Sequence, residues 1–165
     1  MLWNTFYLKH QTILTVIYGL GLRKAEVQHL LTKDINLERG TIHIRKAKGN
    51  KDRILHITNT LAKTIDRYLK EYKPQHWLFE GQTGGQYSAT SIQMIFIRAK
   101  EGSILPAHLT VHGLRHSYAT HMVENGTPLH TVKELLGHSS IQTTQVYLHT
   151  SSKKFTGLHD PLADL

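Results

Sequence analysis

A chain of 165 residues, 39% apolar and 19% charged, has the size and composition of one globular domain. Twenty Lys and Arg against twelve Asp and Glu give a formal net charge of +8, which favours a polyanionic partner such as nucleic acid. The absence of cysteine excludes disulfides, thiolate zinc sites and cysteine nucleophiles. The longest apolar run, Ile13 to Leu22, is about half of the roughly 20 residues that a membrane-spanning helix needs. We therefore expect a soluble cytoplasmic protein with no membrane partner.

The positive charge is concentrated in the first third of the chain. Residues 1–55 carry ten Lys and Arg against four Asp and Glu, whereas residues 111–165 carry four of each. The densest part, residues 39–53, is therefore expected to form the polyanion-binding surface.

Helical periodicity and capping residues predict a mainly α-helical domain. Thr127 and Pro128 suit the N-cap and first turn of one helix, and Gly137 suits its C-cap. The predicted helices, in chain order, cover residues 6–20, 24–31, 59 or 60 to 72, 88–99, 110 to at least 122, 128–136 and 141–150.

A small antiparallel β-hairpin is the main departure from helix. Apolar and polar residues alternate over residues 41–45 and again over 53–57, and Gly49-Asn50 between them suits a tight turn. Residues 77–79 suit a short strand, and residues 81–85 a turn. The predicted fold class is mainly α with a small antiparallel β-hairpin or sheet (α+β).

The predicted helix that begins at Thr110 places His112 and Arg115 on one face, at the border of its apolar stripe. This seam suits a bound phosphate, although an arginine paired with a carboxylate beside an ordinary polar histidine has the same pattern. His138 ends the next helix, and Tyr147 follows nine residues later as a candidate nucleophile or a core aromatic.

Two further groups precede these residues. Arg23 stands at a helix entrance with Glu26 three residues on, and Lys48 stands in the hairpin turn. Each alone also suits a solvated surface charge.

In their joint order these residues resemble the catalytic set of the tyrosine recombinases, the phage-integrase family. The resemblance covers about residues 5–150, with Ala47 and Lys24 as small departures from the family pattern. Its motifs are Gly-Leu-Arg23-xx-Glu26, Lys48-Gly-Asn-Lys-Asp-Arg53, His112-Gly-Leu-Arg115-His-Ser-Tyr-Ala-Thr-His and Leu135-Leu-Gly-His138-Ser-Ser.

The resemblance implies a site-specific recombinase or integrase that cleaves and rejoins DNA. Tyr147 would form a 3′-phosphotyrosyl link, and Lys48 would protonate the leaving 5′-oxygen. Neither a metal nor a nucleotide cofactor is implied. The remaining implied roles are phosphate binding by Arg23, Arg115 and His138, proton acceptance by His112, orientation of these groups by Glu26 and His116, and DNA contact by Arg45, Lys46, Lys51 and Arg53. Glu26 and His116 equally suit structural polar contacts.

The resemblance also implies a domain organisation and partners. Residues 1–150 would form the catalytic domain, and residues 151–165 a tail that packs on a neighbouring protomer. The family's N-terminal DNA-clamping domain has no counterpart in this sequence, so the chain looks like a catalytic fragment or truncated relative. The expected partners are double-stranded DNA and other protomers, as a tetramer on DNA.

Three other interpretations are weaker. A DNA-binding regulator would use the helices near Pro128 and Ile141 as a helix-turn-helix, but would not need the full catalytic set. A zinc site at His112, His116 and His121 lacks the adjacent glutamate of a zinc hydrolase motif. An RNA-stacking module would need aromatic residues within 39–53, where there are none.

Lys48 is chosen over its neighbours Lys46 and Lys51. In an extended strand Lys46 and Lys48 would share a face with Ile42 and Ile44, while Lys51 lies beyond the turn. The resemblance then selects the lysine immediately before Gly49.

Overall fold

The computed structural model describes residues 7–47, 51–101, 105–106, 108–138 and 143–145. Helices dominate, and a small sheet of three strands in the order β1-β2-β3 lies beside them. The elements are α1 (Leu8–Leu20), α2 (Lys24–Gln28), a 3₁₀ turn (Thr32–Asp34), β1 (Ile35–Asn36), β2 (Thr41–Ala47), β3 (Lys51–His56), α3 (Asn59–Tyr72), α4 (Ala89–Lys100), α5 (Val111–Glu124) and α6 (Leu129–Leu136).

Helix α1 lies at the centre of the core, where it packs against α3 and α5. It ends at Gly21, whose φ of +60° lies in the left-handed region that glycine adopts without strain. A Cβ at Gly21 would lie 2.4 Å from the Tyr118 ring on α5. The glycine therefore permits both the sharp turn towards Arg23 and the close approach of α5.

Helix α2 is shorter than predicted, because it ends at Gln28 and not at Leu31. The Leu30 carbonyl accepts a hydrogen bond of 2.8 Å from the Leu78 N–H, and Leu31 forms an isolated antiparallel bridge with Trp77. Pairing with a distant segment thus overrides the local helical preference. The strand predicted over residues 77–79 is reduced to this single bridge.

The predicted hairpin is confirmed as β2 and β3, which pair antiparallel, and its turn lies outside the described residues. The two-residue strand β1 adds a third strand that is too short to leave a periodic signal. A register shift lies between Ile44 and Ala47, where β2 has one residue more than β3. Simple alternation therefore does not extend from Ile44 to Lys46, and it no longer supports the choice of Lys48.

The predicted C-cap of α6, Gly137, is confirmed, whereas the predicted N-caps of α3 and α6 are wrong by one or two residues. Thr58, not Asn59 or Thr60, caps α3 by accepting a hydrogen bond from the Leu61 N–H. Thr110 caps α5 in the same way, whereas Pro128, not Thr127, stands at the N-cap of α6. These caps fix where the helices that carry the site begin.

The predictions for residues 81–85, for the last helix and for membrane-spanning segments have the following outcomes. Residues 81–85 form a turn in which the Gly81 N–H donates to the Gly85 carbonyl, at 2.8 Å. Residues 143–145 are helical, while the rest of the helix predicted over 141–150 and the tail 151–165 lie outside the described residues. Among the described helices none is long and apolar enough to cross a membrane. The mainly α fold with a small antiparallel sheet is confirmed.

Candidate active site

Arg115 is the most deeply buried charged residue that was predicted for the site. It lies on α5 with 1% of its surface exposed, facing the ends of α1 and α6. Its Nη1 donates to the Gly21 carbonyl at 2.6 Å, and its Nη2 donates to the Leu136 carbonyl at 2.7 Å. Both carbonyls lie at helix C-termini, which lack partners within the helix. Arg115 therefore fixes two helix ends against each other at the site.

Glu26 accepts hydrogen bonds or close contacts from three arginines. Its Oε2 accepts from the Arg23 backbone N–H at 2.8 Å, and its Oε1 accepts from Arg23 Nη1 at 3.1 Å. Arg53 binds both oxygens, at 2.9 and 3.1 Å, and Arg115 Nη1 lies 3.8 Å from Oε2. These four residues, Glu26, Arg23, Arg53 and Arg115, are called the Glu26 cluster below.

The cluster determines the charge state of its carboxylate. Burial alone would raise the pKa of Glu26, and the hydrogen bonds and charge of Arg53 are the largest effects that oppose it. The Arg23 backbone N–H and the Arg115 charge act in the same direction, so the pKa of Glu26 lies below its usual range. Glu26 is therefore ionised at neutral pH, and three arginines share one negative charge.

His138 follows α6 directly, and its Nδ1 lies 2.9 Å from the hydroxyl of the buried Thr144. Burial, followed by the positive charges of Arg115, Arg23 and Arg53, lowers the pKa of His138 to about 4. The imidazole is therefore neutral at pH 7, with one N–H to donate.

His112 and His116 stand one turn apart on the exposed side of α5, with ring centroids 4.8 Å apart. Desolvation, then the neighbouring charges of His116, Arg115 and Arg23, lowers the pKa of His112. A neutral His112 is able to accept a proton at pH 7. The structure thus brings together Arg23, Glu26, His112, Arg115, His116 and His138, whereas Lys48 and Tyr147 lie outside the described residues.

The predicted DNA-contacting residues fall into two groups. Arg45 binds Asp34 through Nε and Nη2, at 2.6 to 2.9 Å, and keeps 44% of its side chain exposed. Arg53 instead turns into the Glu26 cluster and is only 11% exposed. Lys46 and Lys51 belong to β2 and β3. DNA contact by these four residues stays a prediction.

Sequence reasoning missed two partners of the site, Asp34 and Thr144. Asp34 ends the 3₁₀ turn and is buried beneath Arg45, and Thr144 holds His138. No spacing rule connects Asp34 with Arg45, since strand β1 and a turn separate them. Within the described ranges, no group of three or more His, Cys, Asp or Glu side chains is arranged to hold a metal ion.

The described site thus combines Arg23 at the start of α2 and Arg115 on α5 with His138 directly after α6. Residues 3–154 match the model described as the phage integrase family, and the chain belongs to that family. It is 37% identical over 148 residues to the tyrosine recombinase XerA of Pyrococcus horikoshii, covering 88% of this chain and 52% of the relative. It is 36% identical over 157 residues to XerC of Actinobacillus pleuropneumoniae, covering 93% and 51%.

Solved structures agree with the sequence comparison. The XerH site-specific recombinase, in a post-cleavage complex with a palindromic difH substrate, superimposes with a TM-score of 0.81 and 27% identity. The match covers 91% of this chain and 46% of that one. The chain spans about half the length of the curated relatives that it matches.

Proposed function

We propose that this chain is the catalytic domain of a site-specific DNA recombinase or integrase that acts through a 3′-phosphotyrosyl intermediate. The observation that carries the proposal is the convergence of Arg23, Arg53 and Arg115 on one buried carboxylate, with His138 close enough for the charges of these arginines to lower its pKa. One negative charge shared among three arginines leaves a net positive site, which suits a phosphodiester. Family membership supports the same function.

The two phosphate-binding arginines have different surroundings. Arg23 keeps 24% of its side chain exposed and is the more accessible of the two, whereas Arg115 is fixed by two carbonyls. Planar guanidinium groups held in fixed positions stabilise the charge that develops on the nonbridging oxygens of a phosphorane. This preorganisation would let the arginines stabilise the negative charge that divalent ions stabilise in other phosphoryl-transfer enzymes.

The histidines would divide two tasks. If Thr144 donates to Nδ1 of His138, the imidazole proton lies on Nε2, which is then a donor for a phosphate oxygen. His112 would accept the phenolic proton of Tyr147 as that oxygen attacks phosphorus. The attack forms the tyrosyl–phosphorus bond as the bond from phosphorus to the 5′-oxygen breaks, and Lys48 would protonate that oxygen.

A nicked DNA substrate tests the proposal. Duplexes with randomised sequence around a nick trap a covalent intermediate, because the short strand diffuses away and religation stops. We expect a protease-sensitive adduct whose peptide maps to Tyr147, and its complete loss in Tyr147→Phe. Tyr118→Phe is the matched control, because burial raises the pKa of Tyr118 and makes it a poor nucleophile. Adduct formation by Tyr147→Phe would refute the assignment.

The choice of Lys48 has its own test. An alkoxide leaves poorly without a proton, whereas a thiolate needs no acid. Lys48→Ala should therefore cleave an ordinary substrate slowly and recover most of its rate when sulfur replaces the scissile 5′-oxygen. Rescue of Lys51→Ala instead would move the acid to Lys51.

DNA and further protomers are the proposed partners. Two duplexes have four strands to cleave, and each protomer supplies one tyrosine, so a complete exchange calls for a tetramer. The XerH relative bound to its difH substrate supports a DNA partner. A helix-turn-helix regulator is not favoured, because it has no use for the clustered arginines and His138.

A further inference from the structure

We propose that Arg53 is a positioning residue of the recombination reaction, and not a DNA contact. Its role would be to align Arg23, Arg115 and His138 from strand β3 by binding Glu26 and the C-terminus of α6. This inference rests on the proposed function, because it assigns the alignment of the same phosphate site.

The first observation is that the Arg53 guanidinium is used inside the domain. Both terminal nitrogens bind Glu26, one to each oxygen, in the bidentate geometry that gives arginine–carboxylate pairs their directionality. Glu26 in turn holds the backbone N–H and Nη1 of Arg23 and lies beside Arg115. A shift of Arg53 would therefore move or protonate the carboxylate that orients both phosphate-binding arginines.

The second observation connects Arg53 to His138. Its Nε donates to the Leu135 carbonyl at 3.0 Å, next to the Leu136 carbonyl that Arg115 binds. A Cβ on Gly137 would lie 2.9 Å from Arg53 Nη1, so the guanidinium packs directly against the glycine that precedes His138. Two arginines thus fix the last carbonyls of α6, and with them the position of His138.

The third observation is that the contacts need the full guanidinium. Arg53 Nε points to α6, while Nη1 and Nη2 point to α2, so a planar group with three donors in two directions is required. A lysine ammonium is a point charge that does not reproduce this geometry. Because β3 also pairs with the strand before Lys48, Arg53 links the hairpin to the phosphate site.

Salt dependence separates positioning from DNA contact. Arg53→Met should bind a 30-base-pair duplex with the wild-type affinity and the wild-type slope of log K against log salt. Removal of a phosphate contact would instead lower the magnitude of that slope by about one. The matched control is Arg67→Met, because Arg67 is an exposed arginine on α3. A slope reduced by about one in Arg53→Met alone would overturn the proposal, whether or not the chain cleaves DNA.

The pH profile separates positioning from a loss of stability. Arg53 is the largest of the groups that lower the pKa of Glu26, so Arg53→Met should raise that pKa, and its cleavage should fall with decreasing pH at a pH about one unit or more above the wild-type fall. At neutral pH its adduct formation should drop about tenfold or more. The loss of adduct formation in Glu26→Gln/Arg53→Met should be smaller than the sum of the two single losses, because part of the action of Arg53 passes through the Glu26 carboxylate. A wild-type acid limb in Arg53→Met, or additive losses, would overturn the proposal.

Arg53→Lys keeps the test valid if Arg53→Met does not fold. It retains the charge but lacks the bidentate geometry, so we expect about tenfold slower adduct formation at an unchanged salt slope. Wild-type cleavage by Arg53→Lys would refute the positioning role. Failure of the wild-type chain to form any adduct on the nicked pool would instead refute the proposed function, which keeps the two failures distinct.

Discussion

Two arginine–carboxylate pairs flank the hairpin, and they differ in how many groups depend on the carboxylate. Asp34 binds Arg45, whose side chain is 44% exposed, through three short contacts. Glu26 serves three arginines, two of which are 11% and 1% exposed. The Asp34 pair anchors one strand, and its arginine is able to turn to water. The Glu26 cluster holds several elements together, so a change there spreads to the whole site.

The largest expected effect is on the rate of DNA cleavage, which variants of the Glu26 cluster should lower and a variant of the Asp34–Arg45 pair should not. Arg23→Ala and Arg115→Ala should each slow cleavage by about a hundredfold or more, because each removes charge stabilisation at the phosphorane. Arg45→Ala should weaken DNA binding and lower the salt slope by about one with little change in the rate of the bound complex. Adduct formation on the nicked pool at saturating protein measures the rate. Equal losses of rate at all three positions would indicate generic phosphate binding.

Stability gives the next contrast. Glu26→Gln removes the counter-charge of buried arginines and should lower the free energy of unfolding by about 3 kcal/mol. Asp34→Asn leaves an arginine that water solvates, and should cost about 1 kcal/mol. Urea unfolding of both amide variants checks this order. A larger loss in Asp34→Asn would show that the burial of the carboxylate, and not the number of its arginines, sets its contribution.

The pH dependence of stability should reveal His138. Its pKa is lowered to about 4 from an ordinary value of 6.5, so the unfolded chain binds the proton first. The contribution of neutral His138 to the free energy of unfolding is therefore complete above pH 6.5 and is lost as the pH falls towards 4. The lowered pKa of Glu26 adds a further loss as the pH falls below its ordinary value of 4.5. His138→Gln should flatten the curve between pH 4 and 6.5, and an unchanged slope would place the titration elsewhere.

The last treatment, removal of divalent ions, is expected to have no effect on cleavage. Cleavage should continue in excess chelator, because the arginines and histidines of the site replace divalent ions. The adduct yield on the nicked pool, with and without chelator, measures this. Activity that disappears with chelator and returns with magnesium would contradict the prediction and would weaken the role given to the Glu26 cluster.

Much of the fold follows from local rules. The start of α5 beside Thr110, the C-cap at Gly137, the end of α1 and the hairpin lie within one or two residues of their predicted places. The order and spacing of the motif residues are also read directly from the sequence. Local rules failed where a distant segment competed, as at Leu31, whose pairing with Trp77 ended α2 early.

The site shows the same division. A basic hairpin predicts charge and exposure, and for this reason the sequence placed Arg53 among the DNA-binding cations; in the structure its side chain is only 11% exposed. The direction of its side chain depends on Glu26, 27 residues earlier, and on the Leu135 carbonyl, 82 residues later. The burial of Arg115 was likewise underestimated, since helical spacing placed it at the border of the core and not within it.

The sequence by itself determined the order and spacing of the candidate catalytic residues, because residue type, capping and periodicity are local properties. The tertiary structure decided how charge is shared among them. Arg23 at the start of α2, Arg53 on β3 and Arg115 on α5 converge on Glu26, and the last two also bind the end of α6. The physical reason is that a buried carboxylate is stable only with enough donors around it, and packing selects those donors from segments that no sequence window contains.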